Sequence, residues 1–167
     1  MTKPTVYVDA NIFSVPHYRG ADPVALKERL ATREWWEQER PFFELVASRA
    51  VENELAAGDY PGKERALAVV RRLPYLALVP VVQDVFGELL AARVVPVTAQ
   101  ADALHLAYAT AYRVDYLLSW NRTHLVSEET QGKLARFRAA TGLRTPLVVS
   151  PESIPKATLG ESIRRRD

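Results

Sequence analysis

Short runs of β-branched, aromatic and leucine residues alternate along this chain with longer stretches of helical spacing. The runs are T-V-Y-V-D at 5–9, F-F-E-L-V-A at 42–47, Y-L-A-L-V at 75–79, D-Y-L-L-S at 115–119 and L-V-V at 147–149. Each is short, apolar and bounded by turn or cap residues, as expected of strands buried on both faces. Between them apolar residues recur every three or four positions. The spacing predicts helices over 23–39, 49–57, 61–72, 81–93, 98 to about 112, and 127–140. Pro41, Gly58 and Gly142 supply stops, and Ser48, Thr98 and Ser127 stand where N-caps are needed. Residues 11–20, with Pro16 and Gly20, read as a loop. Strands that alternate with helices pair in parallel, because each crossover returns the chain to the same end of the sheet. The expected fold is an α/β three-layer sandwich with a central, mostly parallel sheet.

Composition narrows the function classes. The chain has 167 residues, 48% of them hydrophobic and 25% charged, enough for one domain with a full core. The reading is a single domain over 1–150 and a tail over 151–167, where Arg164, Arg165 and Arg166 stand together. No apolar run approaches the ~20 residues of a membrane helix, and the start M-T-K-P-T-V-Y-V reads as the lead into a strand and not as a signal peptide, so the expected location is the cytoplasm, with no membrane partner. Cysteine is absent, which removes disulfides, thiolate metal sites and a thiol nucleophile. A net charge of +2 neither demands nor forbids a nucleic-acid partner.

Acids and amides gather at the ends of the apolar runs. They occur in V-Y-V-D-A-N at 6–11, V-E-N-E-L at 51–55, A-D-A-L-H-L-A at 101–107 and Y-L-L-S-W-N at 116–121. A carboxylate beside buried elements needs a partner, because an unpaired buried charge is costly. A shared divalent cation held by oxygen ligands is the common solution. In parallel sheets sites form beyond the carboxyl ends of the strands, where Asp9 and Asn121 fall. Asp102 lies near its helix start, where the helix dipole favours negative charge. Taken singly, each residue also has a bland reading. Asp9 suits a turn, Asp102 a helix start, and Asn121 a turn before Arg122. Periodicity does not choose between Glu52 and Glu54. His105, three residues after Asp102, reads as packed or hydrogen-bonded in preference to ligating. Trp120 either fills a wall or stacks a base, and packing is preferred.

In their order and spacing these motifs resemble the PIN-domain family, the VapC-like toxin ribonucleases. The match runs through D-A-N-I-F, S-x-x-V-x-x-E-L at 48–55, D-A-L-H-L-A at 102–107 and L-L-S-W-N at 117–121. The resemblance implies a PIN-like α/β/α fold, an acidic metal pocket, and RNA hydrolysis dependent on Mg²⁺ or Mn²⁺. It assigns Asp9, Glu54 and Asp102 as metal ligands, and those three with Asn121 as catalytic residues. Asn121 departs from the Asp that many members carry, losing a charge and weakening any second metal. Asn11, Ser119 and His124 would support ligands or touch substrate. The toxin reading adds a small antitoxin partner, and relatives form homodimers. Two alternatives stand beside it. One is a catalytically weak PIN-like module that binds RNA or protein. The other is a phosphatase resembling haloacid-dehalogenase-like hydrolases, which carry a second Asp where Asn11 stands here.

Overall fold

The computed structural model describes residues 2–156. Five parallel strands form one sheet in the order β3-β2-β1-β4-β5. The strands are β1 (Thr5–Val8), β2 (Glu44–Ser48), β3 (Tyr75–Leu76), β4 (Tyr116–Leu118) and β5 (Leu147–Val149). The helices are α1 (Ala10–Ser14), α2 (Pro23–Gln38), α3 (Arg49–Ala57), α4 (Lys63–Val70), α5 (Pro80–Ala91), α6 (Gln100–Ala111) and α7 (Glu128–Thr141). Val6, Tyr7 and Val8 are fully buried although successive side chains on a strand point to opposite faces, so helices cover both sides of the sheet. The α/β sandwich expected from the alternation is the fold observed.

The helix starts follow from cap chemistry. Asp22 caps α2 by accepting from Ala25 N (2.9 Å), and Ser127 caps α7 by accepting from Thr130 N (3.1 Å). Gly142 ends α7 in a left-handed conformation (φ 72°), which a side chain would strain. Thr98 does not cap α6; Ala99 holds that position without a side-chain bond.

Residues 11–20 are not the irregular loop expected. Asp9 caps α1, and a 3-10 turn over Val15–His17 follows, with Pro16 at a position where its missing N–H costs nothing. Ile12 and Phe13 anchor this segment in the core. β3 is shorter than the run Y-L-A-L-V implied, because Tyr112 takes over its backbone: the Tyr112 hydroxyl donates to Ala77 O (2.8 Å) and accepts from Ala77 N (3.1 Å). Of the expected tail, 157–167 lies outside the described residues. Its first part turns back on itself, Ser153 bonding Ser150, and Ile154 is buried in the core.

Candidate metal centre

Polar residues stand in a row at the carboxyl edge of the sheet. β2 ends in Ser48, β1 is followed by Asp9, β4 by Ser119 and β5 by Ser150, and all four are buried. Asp9 N donates to Leu118 O (3.0 Å), which fixes the end of β1 against the end of β4. The sheet order makes this junction the switch point. The chain moves outward through β1, β2 and β3, then returns to place β4 on the other flank of β1. Open parallel sheets form their ligand crevices at such a point.

Asp9 is held from both oxygens. Oδ2 accepts from Ser119 Oγ (2.6 Å) and Asn11 Nδ2 (3.2 Å), and Oδ1 accepts from Ala10 N (2.7 Å). Asn11 Oδ1 in turn accepts from Trp120 N (2.9 Å). Asn11 and Ser119 thus orient Asp9 and tie the residues after β1 to those after β4.

Glu54 reaches the same place from α3. Its Oε1 lies 2.6 Å from Nε2 of His105 on α6, and that nitrogen is 3.6 Å from Asp9 Oδ1. Ligand atoms of Asp9, Glu54 and His105 all lie within 4.8 Å of one another. His105 is fully buried; burial lowers its pKa, but the bond to Glu54 and the charges of Asp9, Glu54 and Asp102 outweigh burial and leave it raised. Glu52, which shares the helix, points elsewhere. Its side chain is only 12% exposed and bonds Arg49 (3.0 Å), Arg71 (3.0 Å) and Tyr75 (2.8 Å).

Asp102 sits beside this cluster and belongs to a second set of bonds. Both its oxygens accept from Asn121 Nδ2 (3.2 and 3.1 Å), and Oδ2 is 3.1 Å from His124 Nδ1. Burial and then the charge of Asp9 raise its pKa, against the lowering effect of His124 and His105. Asn121 Oδ1 accepts from His124 N (3.0 Å) and closes a turn, while its nitrogen orients Asp102.

Reasoning from sequence missed Tyr7, Ser48 and the extent of His105's involvement. His105 Nδ1 is 2.7 Å from Tyr7 Oη, which is 2.7 Å from Ser48 Oγ. One signal was available. Tyr7 alternates with Val6 and Val8 in a strand buried on both faces, and a buried tyrosine hydroxyl needs a polar partner.

The donor set fits a hard divalent cation, with two carboxylates converging in a partly buried crevice and each fixed by another side chain. Among the described residues no helix is long and apolar enough to cross a membrane. No protein-family model and no curated protein matches the sequence. Among solved structures the chain is similar to one in the crystal structure of VapBC2 from Rickettsia felis bound to a DNA fragment from their promoter. The two share 11% identity with a TM-score of 0.48, covering 87% of this chain and 98% of that one. Likeness at this level carries no statement about chemistry.

Proposed function

We propose that the chain is a metal-dependent endoribonuclease, the toxin of a toxin–antitoxin pair. The observation that supports this most is the meeting of Asp9 and Glu54, 45 positions apart in sequence, at the switch point of the sheet. A bound Mg²⁺ or Mn²⁺ would polarise a phosphate oxygen and lower the pKa of an attacking water. Asp9 and Glu54 would hold the ion, with Asn11 and Ser119 keeping Asp9 in place. Asp102 would complete the acidic pocket. Asn121 and His124 hold its carboxylate in place, His124 at 3.1 Å and partly exposed at the rim of the pocket. RNA as substrate, a small antitoxin, a homodimeric state and a cytoplasmic setting follow from the family resemblance of the sequence motifs.

Replacing Asp9 with Asn tests the reading. Cleavage of single-stranded RNA in Mn²⁺ should fall by at least two orders of magnitude, with the far-UV circular dichroism unchanged; undiminished cleavage in that variant refutes the site. A second reading, a binding module with weak or no catalysis, has one observation in its favour. Asn121 uses both ends of its amide inside the protein, its nitrogen on Asp102 and its oxygen on His124 N. Calorimetric titration separates the two, since a module would take up neither Mg²⁺ nor Mn²⁺ at millimolar concentration.

A further inference from the structure

We propose that Ser48, Tyr7 and His105 form a buried hydrogen-bonded rail that sets the position of Glu54, with His105 a positioning residue and not a ligand. The inference rests on the cation-site reading and adds to it the residues that make Glu54 competent.

Glu54 needs such a device. Its side chain is 38% exposed, and the partner it has among the described residues is His105. An unguided glutamate loses rotamer entropy when it takes up an ion, so a free Glu54 would hold one less tightly. His105 is rigid by comparison. It is buried on α6, packed against Tyr7 with the two rings tilted and their centroids 5.5 Å apart, and bonded at both nitrogens.

The proton positions follow from donor and acceptor chemistry. A carboxylate only accepts, so at 2.6 Å the hydrogen lies on His105 Nε2. Nε2 is taken up by Glu54 and Nδ1 by Tyr7, so both ring nitrogens already have partners inside the protein, and His105 positions a ligand instead of being one. Nδ1 is hydrogen-bonded to the Tyr7 hydroxyl, and Tyr7 Oη to Ser48 Oγ. Ser48 carries an independent mark of this arrangement. It occupies the N-cap position of α3, where serine commonly bonds a backbone N–H, yet it makes no capping bond and turns its hydroxyl to Tyr7. The helix that carries Glu54 thus has its N-cap hydroxyl turned into the rail. The rail thereby links β1, the end of β2, α6 and α3, and its last bond emerges where Glu54 meets Asp9.

Calorimetric titration with Mn²⁺ tests this, run on the wild-type protein, Asp9→Asn, His105→Leu, His105→Gln and Tyr7→Phe, each with a thermal melt. Removing a group that orients a ligand typically weakens metal binding 10- to 100-fold, and His105→Leu should fall in roughly that range. His105→Gln, whose amide can still donate to Glu54, should recover much of the loss. Tyr7→Phe should show a smaller loss, and it carries the test should the leucine variant not fold. Rail variants that melt lower yet bind Mn²⁺ as tightly as wild type, or more tightly, overturn the inference. So does a directly coordinated imidazole nitrogen in the pulsed electron paramagnetic resonance of the Mn²⁺ protein. Wild-type protein that binds no Mn²⁺ removes the nuclease reading itself. Binding that is lost in Asp9→Asn but intact in every rail variant removes the rail alone.

Discussion

Trp120 buries its indole and donates from Nε1 to Thr32 Oγ1 (2.8 Å), while Thr32 donates onward to Glu28 O (2.7 Å). Arg122 lies over the ring, its guanidinium carbon 5.3 Å from the centroid. The side chain is packed and hydrogen-bonded, as preferred from sequence, and has no open face on which a base could stack. Trp120→Phe should therefore lower stability by about 1–3 kcal/mol, through the lost bond and the smaller ring, without changing RNA affinity. Urea unfolding and a filter-binding assay on one preparation check both halves. The two glutamates of α3 show where reading by residue stops. Glu52 and Glu54 stand two positions apart and looked equivalent, because what separates them lies far away in sequence. Glu52 is claimed by Arg71 and Tyr75, whose own pKa is pushed up to about 12 by burial and by Glu52; Glu54 is claimed by His105. Periodicity records faces, not partners. Only the family resemblance favoured Glu54.

The central pair of strands is pinned at its start as well as at its end. Asp115 Oδ2, just before β4, accepts from Thr5 N (2.9 Å) and Thr5 Oγ1 (3.1 Å) at the start of β1, and Oδ1 pairs with Arg144 ahead of β5. Burial raises the Asp115 pKa, but the Thr5 and Arg144 contacts outweigh it and hold the carboxyl below its ordinary value. A lowered folded-state pKa means that ionised Asp115 stabilises the protein at neutral pH. That contribution fades as pH falls through the ordinary carboxylate range, near about 4, and is gone below the lowered value. Asp115→Asn should cost on the order of 1 kcal/mol at pH 7, and the gap from wild type should close toward pH 2–3. Urea midpoints across that range check the sign: a gap that widens in acid contradicts the assignment. Elements whose signals are local were readable in advance. The helix over 49–57 and the strand over 147–149 agree in their bounds, and Ser127 caps as expected. The segment after β1 was not readable, because Pro16 and Gly20 resemble a loop until Ile12 and Phe13 find the core. Nor was β3, whose length is set by the distant hydroxyl of Tyr112.

Across the whole molecule, the sheet order joins stability to the proposed chemistry. β1 lies at the centre of the sheet, its flanking strands supply Ser48 and Ser119, and the buried hydrophobic residues from both faces form one continuous cluster. Asp9 therefore follows a strand buried on both faces, the kind of element expected to open last. Gathering carboxylates there has a cost: burial first, and then the charge of Asp9, raise the pKa of Asp102, and a divalent cation would offset that charge. An ion that binds the folded chain and not the unfolded one must raise the melting temperature. At 100 times its dissociation constant the gain is about 2.7 kcal/mol. For a chain of this length that corresponds to a shift of roughly 5–10 °C. Differential scanning calorimetry with and without Mn²⁺ should show this rise, reversed by a chelator. Asp9→Asn should melt at the same temperature in both buffers, since its neutral amide leaves Glu54 without the anionic partner that the ion requires. A wild-type melting temperature unmoved by Mn²⁺ would mean that the acids at the switch point are balanced by His105 and their own hydrogen bonds alone, a structural cluster with no place for metal.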